Sequence, residues 1–598
     1  MLFAYQNVNQ LWAYILTQTL KRLGLTCAVI CPGSRSTPLA VAFAQQTSDI
    51  AAISILDERS AAFFALGQAK ITGRPVVLVC TSGTAGANFY PAVIEARESR
   101  VPLLVLTTDR PPELRDCHSG QTIDQLKLYG SYPNWQAEIA LPSLDMEMLA
   151  YLRQTLIYAW ERCQAPVGGP VHLNLPFRDP LAPLPDGSDL SYLQSQLQTE
   201  EFFATLTNSL PLPTTHCPLP LEWQQCEQGI IIAGVAQPQQ AQQYCRAIAR
   251  LSQILNWPVL AEGLSPVRNY ADLNPHIIST YDQILRNLQL AKQLAPQMVI
   301  QIGEMPTSKQ LRNWINHTQP RRWIIDPSDQ NFDPLHGRTT HLRISIEELG
   351  RWGDLYRAKP RYGEMGRENN SDFSPPTSEY LQLWSTAEAQ VRVAIDQTFG
   401  KMTDLFESKA AWLLSQNLPS GTPLFISNSM PVRDVEFFWK PNNLGVRSHF
   451  NRGANGIDGA LSTALGIAHR HQSSVMLTGD LALLHDTNGF LMRNKFVGHL
   501  TILLINNNGG GIFEMLPIAK FDPPFEEFFG TPQDIDFAQL CATYGVEHEL
   551  ITSWQQLQQK LNPLPIKGIR VLEVRTNRKL DAKWRQENLS KFAADVEI

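Results

Sequence analysis

The sequence predicts an α/β protein built from three doubly wound parallel-sheet domains. Three observations carry that expectation. Short β-rich apolar runs alternate with helical segments along the whole chain, the pattern of parallel strands joined by crossover helices. Two proline-rich stretches interrupt the alternation, one from Pro176 to Pro220 and a polar one from Gly363 to Pro376. A length of 598 residues exceeds what one hydrophobic core organises and fits three or four domains. The blocks that result are 1–185, 215–360 and 375–598.

The first block opens on an amphipathic helix over Leu11–Leu25, with Trp12, Ile15, Leu16, Leu20 and Leu23 on one side and Gln18, Lys21 and Arg22 on the other. Strands are expected at Ala28–Cys31, Ile53–Leu56, Val76–Cys80, Leu103–Thr107 and Val171–Leu175. A short helix is expected near Leu190–Leu206, inside the first proline-rich stretch. The middle block has strand runs at Gly229–Ala233, Met298–Ile302 and Trp323–Asp326. The last has them at Leu424–Ser427, Val475–Thr478, Thr501–Ile505 and Val571–Val574.

Composition removes several function classes. A net charge of −6 offers no bulk basic field for nucleic acid. No apolar run reaches the roughly 18 residues that a membrane span needs. Nine scattered cysteines, an odd number without a Cys-x-x-Cys pair, point to the reducing cytoplasm rather than a disulfide framework.

The chemistry concentrates at strand ends. Gly479-Asp480 closes one apolar run, and Asn506-Asn507-Asn508-Gly509-Gly510-Gly511 closes the next, with Asn507 placed 27 residues after Asp480. That distance accommodates one crossover helix, so both loops emerge at the same carboxyl edge of a parallel sheet. A carboxylate, an amide oxygen and a glycine carbonyl suit a hard cation such as Mg²⁺. A plain strand–helix–strand unit with polar turns gives the same pattern. In the first block, Pro32-Gly33-Ser34-Arg35-Ser36-Thr37 joins a strand to a helix and offers either an anion site or a capped turn. Asp57-Glu58 ends another strand.

The Gly-Asp and Asn-Asn pair at this spacing resembles the metal and diphosphate motif of thiamine diphosphate (ThDP) enzymes. The resemblance implies that Asp480, Asn507 and the carbonyl of Gly509 hold Mg²⁺ or Mn²⁺. Gly479, Leu481, Gly510 and Ile512 would border the cofactor, although Leu481 stands where the family usually has glycine. Glu58 matches the carboxylate that hydrogen-bonds the cofactor's aminopyrimidine, with Ser82, Gly83 and Thr84 close by. Ile457 matches the wedge that bends the cofactor. The first block would bind the pyrimidine, the third the diphosphate. Because the two halves of such a site come from different subunits, a homodimer with shared sites is implied, with a tetramer left open.

Longer strings are similar to one branch of that family: Pro32–Leu39, Thr107–Leu114, Cys117–Ile123 and Asn451–Gly459. That branch decarboxylates 2-oxoglutarate and adds the four-carbon fragment to isochorismate, releasing CO₂, on the way to menaquinone or phylloquinone. Both substrates are dianions, which explains a demand for arginines. The motif matches assign the substrates to Arg35, Arg110, Gln121, Lys309, Ser429, Arg433 and Arg452, and an apolar wall to Ile512, Phe513 and Leu516. Gln310 and Gly120 depart from residues common in the branch. His118 and His485 read as structural or surface residues.

Overall fold

Three six-stranded sheets, parallel throughout, follow one another in this computed structural model, which describes residues 5–46, 48–188, 190, 200–203, 219–349 and 378–598. The first contains β1 (Cys27–Ile30), β2 (Ala51–Ser54), β3 (Val76–Cys80), β4 (Leu103–Asp109), β5 (Trp135–Glu138) and β6 (Pro170–Pro176), in the order β2-β1-β3-β4-β6-β5. The second contains β7 (Gly229–Ala233), β8 (Val259–Ala261), β9 (Ile277–Ile278), β10 (Met298–Ile302), β11 (Arg321–Ile325) and β12 (Thr339–Leu342), ordered β12-β11-β10-β7-β8-β9. The third contains β13 (Pro423–Ile426), β14 (Arg447–His449), β15 (Ser474–Gly479), β16 (His499–Asn506), β17 (Glu547–Ile551) and β18 (Gly568–Arg575), ordered β14-β13-β15-β16-β18-β17. The first and third sheets therefore share one topology. In each, the strand order reverses beside the first strand, opening a crevice at the carboxyl edge between β1 and β3 and between β13 and β15.

The expected central strands all form, because each is a fully buried apolar run. Outer strands such as β5 and β17 are half-exposed and carry no such run, so the sequence did not announce them. The crossover between Asp480 and Asn507 also differs from expectation. It is not one helix but a single turn, Asp480–Leu484, followed by a 3₁₀ segment, Thr487–Asn494. The buried Asp486 lies between them, and its carboxylate accepts from the Ser462 amide at 2.6 Å, the Ser462 hydroxyl at 2.9 Å and the Ser60 hydroxyl at 3.3 Å. Most of the helix expected near 190–206 lies outside the described residues, as does the stretch 363–376.

Six helices position the site: α1 (Val8–Arg22), α2 (Glu58–Thr72), α3 (Lys309–Thr318), α4 (Met430–Phe438), α5 (Ala460–Ala468) and α6 (Arg578–Asn588). Helix α1 starts earlier than its apolar stripe because Asn7 caps it, accepting from the Gln10 amide. Helix α2 is capped by Asp57, which accepts from the Ser60 amide at 3.0 Å, and ends at Gly73, whose φ of +66° suits glycine.

Helices α2 and α5 cross at two glycines. A Cβ on Gly67 would meet the Thr463 carbonyl, and one on Gly466 would meet the Phe64 carbonyl. This close approach lets Phe63, Phe64 and Leu66 share one core with Leu461, Leu465 and Phe490. The first and third sheets are thereby fused in one chain. The middle sheet is tied in by the buried Arg268, which donates to the Ala261 carbonyl at 2.8 Å and to the Glu436 carbonyl at 2.8 Å near the end of α4. All eight described cysteines are free, and among them Cys117 is exposed. No described helix is long and apolar enough to cross a membrane.

Candidate active site

The crevice of the third sheet holds a cavity of about 220 Å³ bordered by the loops after β13, β15 and β16. Gly479, Asp480, Leu481, Asn507, Gly509, Gly510, Ser429, Ile457, Ile512 and Phe513 all line it. Asp480 is buried, and its carboxylate accepts from the Gly509 amide at 2.7 Å. Burial pushes its carboxyl up to about 6, against the pull of the Leu481 and Gly509 amides. Asn507 donates through Nδ2 to Glu407 at 3.3 Å, which leaves its buried Oδ1 without a partner.

An unpaired buried oxygen beside a carboxylate whose charge is disfavoured is a set that a cation satisfies. Among the described residues no three His, Cys, Asp or Glu side chains cluster for metal binding. A cation here would therefore rely on one carboxylate, one amide oxygen and backbone carbonyls, which fits Mg²⁺ rather than a soft metal. The glycines let the loop after β16 pack against the backbone at 529–530. Gly509 has a φ of +138°, and a Cβ there would strike the Gly530 carbonyl.

Ser429 enters α4 with φ +75°, a conformation that costs a non-glycine residue energy and that recurs at functional sites. Its carbonyl accepts from Arg433 Nη1 at 2.6 Å. Arg452 donates to Asn428 Oδ1 at 3.0 Å, while Asn428 Nδ2 holds the Asn451 and Gly456 carbonyls at 2.6 and 2.7 Å. Burial pulls the Arg433 guanidinium down to about 10, helped by the neighbouring cations Arg452 and Arg312. Among the described residues neither Arg433 nor Arg452 forms an ion pair.

The remaining candidates gather at the first sheet. Arg35 is buried and donates to the Phe177 carbonyl at 2.9 Å; burial and the nearby Arg110 both lower its pKa. Arg110 bonds the Ser82 hydroxyl, and Gln121, at φ +60°, donates to the Ser82 carbonyl at 2.9 Å. The Gly83 amide is held by Gln125 at 2.9 Å, and Thr84 begins the next helix. Glu58 begins α2 half-buried, without a hydrogen bond or ion pair among the described residues. It lies close enough to Cys31 and Cys80 to add to the effect of burial in raising both thiols.

The structure does not bring the two sets into one cavity within a chain. Third-sheet residues alone border the 220 Å³ cavity, whereas Gly83, Thr84 and Gln121 border another of about 850 Å³. Lys309 is exposed at the start of α3, and Leu516 is half-buried but does not line the 220 Å³ cavity. His118 borders the first-sheet cavity and His485 ends the short turn after Asp480.

Sequence reasoning missed Glu407, which orients Asn507 and is itself held by the buried Arg585 of α6 at 2.8 Å. It also missed Glu95, whose carboxylate accepts from the Gly453 amide at 3.1 Å and the Ala454 amide at 2.7 Å, fixing the Arg452 loop. No local motif marks either residue.

Comparison with known proteins places the chain in a family. Residues 12–128 match the family model for the N-terminal TPP binding domain of thiamine pyrophosphate enzymes, and residues 193–407 match the middle domain of thiamine pyrophosphate. A 2-succinyl-5-enolpyruvyl-6-hydroxy-3-cyclohexene-1-carboxylate synthase from Nostoc sp. is 76% identical over 594 residues, covering 99% of each chain. Synthases of the same name from Trichormus variabilis and Gloeothece citriformis are 75% and 63% identical, over 99% and 98% of this chain. The crystal structure of benzoylformate decarboxylase from Polynucleobacter necessarius superposes with a TM-score of 0.66 at 17% identity, over 95% of this chain and 98% of that one, a likeness of fold. The chain belongs to the 2-succinyl-5-enolpyruvyl-6-hydroxy-3-cyclohexene-1-carboxylate synthase family of thiamine pyrophosphate enzymes.

Proposed function

We propose that the protein decarboxylates 2-oxoglutarate and adds the resulting four-carbon unit to the ring of isochorismate, releasing CO₂, as a cytoplasmic Mg²⁺-dependent (or Mn²⁺-dependent) homodimer in quinone biosynthesis. One observation carries the reading. Asp480 and an unpaired Asn507 oxygen line the third-sheet cavity together with Ser429 and Asn428, which accept hydrogen bonds from Arg433 and Arg452, two guanidinium groups without an ion pair among the described residues. A metal-type oxygen set close to guanidinium groups that hold no ion pair suits a diphosphate cofactor followed by dianionic substrates.

When bound, ThDP supplies the carbon nucleophile for a 2-oxo acid and accepts the electron pair left as CO₂ departs. The chain's own residues do the rest. Asp480, Asn507 and the Gly509 carbonyl would hold the metal, with Glu407 keeping the Asn507 amide turned the right way. Glu58 offers a carboxylate with no other partner to the cofactor's pyrimidine, and Ile457 would set the bend. Arg35, Arg110, Arg433 and Arg452 would clamp substrate carboxylates, aided by Gln121, Ser429 and Lys309. Ile512, Phe513 and Leu516 give the reacting carbon an apolar wall that excludes water, which favours loss of a charged carboxylate.

The blocks 1–185, 215–360 and 375–598 would then serve as pyrimidine-binding, central and diphosphate-binding domains. Separate half-site cavities in one chain are what a site completed by a second chain requires. The test supplies ThDP, Mg²⁺, 2-oxoglutarate and isochorismate and follows isochorismate by its absorbance. Turnover is expected; turnover of pyruvate in place of 2-oxoglutarate would overturn the substrate assignment.

A further inference from the structure

The cations of the crevice are not confined to the third domain. Arg312 is the fourth residue of α3, on the middle domain, and is half-buried. Its Nη2 donates to the Thr307 carbonyl at 2.7 Å and its Nε to the Ser308 carbonyl at 3.4 Å. From the other side, Arg452 Nη2 approaches the Thr307 hydroxyl at 3.5 Å. One threonine thus holds a guanidinium on each face, and Arg433 lies within electrostatic reach of both.

None of the three arginines forms an ion pair among the described residues, and the buried Arg452 Nε has no hydrogen-bond partner. Carboxylates act on them only through space, Glu262, Glu304 and Glu95 on Arg452 and Asp434 on Arg433, so an incoming anion can still take a direct contact with the cluster. Of its neighbours on α3, Gln310 is neutral and Lys309 is a second, exposed cation. We propose that Arg312 is a substrate-binding residue, a contribution of the middle domain beside Lys309 to the anion site begun by Arg433 and Arg452, and that it takes a carboxylate of one of the dicarboxylic substrates. The proposal deepens the carboligase reading and rests on it for the identity of those substrates.

The test uses the full-length enzyme with ThDP and Mg²⁺ and compares wild type with Arg312→Ala and Arg312→Lys. In Arg312→Ala the KM for 2-oxoglutarate or for isochorismate should rise roughly ten- to hundredfold, the loss of a charge-assisted contact. The half-saturating ThDP concentration should stay unchanged, and Arg312→Lys should recover part of the loss. Unchanged KM values for both substrates overturn the proposal. So do equal increases for both substrates and ThDP together with a lower Tm, which is the signature of an arginine that only braces the Thr307 loop. Calorimetric titration with each dicarboxylate alone reads the anion site whether or not turnover occurs, and equal Kd values in wild type and Arg312→Ala for both ligands also overturn it. The carboligase reading fails separately, when wild type consumes neither substrate.

Discussion

Asn507 is useful to the site because of the way its amide is turned. An amide has one donor end and one acceptor end, and Glu407 occupies the donor end, so the oxygen faces the cavity unpaired. Glu58 is the complementary case, a carboxylate left without a partner at the head of α2. Glu58→Gln keeps the shape and removes the charge. Its activity is expected to fall by roughly a hundredfold or more, the scale of a lost acid–base group. Calorimetric affinity for ThDP with Mg²⁺ should change little. Retained activity would remove Glu58 from the reaction. The candidate site was legible where its residues share a short stretch with a strand end, as Asp480, Asn507 and Arg452 do. It was illegible where the partner is remote. Glu407 acts on a side chain 100 positions away, and nothing in the residues around it betrays that.

Elements were legible in the same measure. A run such as Leu503–Ile505 can only be buried, whereas β17 is stabilised by its pairing with β18 rather than by its own side chains. The α2–α5 crossing was invisible in advance, since it depends on two glycines far apart in sequence. Gly466→Val should force those helices apart and cost about 1–3 kcal/mol or more, the usual penalty of overfilling a packed contact, seen as a lower Tm. An unchanged Tm would mean the crossing is looser than its geometry.

The same joint carries a pH dependence through Asp486. Burial lifts its carboxyl from the ordinary 3.8 to about 6, against hydrogen bonds from Ser462 and Ser60. The folded chain retains this proton where the unfolded chain releases it. Its stabilising contribution is full below the unfolded value and is lost as pH rises through the folded one. Asp486→Asn cannot ionise. The Tm of the variant relative to wild type should therefore climb between about pH 4 and pH 7. A constant difference across that range would refute the assignment.

At the scale of the whole molecule, the candidate residues of the third sheet and Gly83, Thr84 and Gln121 of the first line different cavities in a chain whose two outer sheets share a core. Subunits carrying Glu58→Gln and subunits carrying Asp480→Asn should each be inactive alone. If two chains complete each site, mixed dimers restore one intact site, and a random mixture recovers about a quarter of wild-type activity. No recovery after subunit exchange would argue that each chain works by itself. The three-sheet plan was readable from the alternation of strands and helices, because that pattern is local. How the sheets join was not, because Arg268 and the Gly67–Gly466 contact connect elements that the sequence keeps far apart.

The one exposed thiol among the described cysteines gives this arrangement a practical use. Cys117 stands between Asp116 and His118, both of which border the first-sheet cavity, while burial raises the pKa of Cys27, Cys31, Cys80, Cys163 and Cys245. A maleimide dye on Cys117 would sit at the rim of the first-sheet cavity without disturbing any core, and its emission would report when something closes over that mouth.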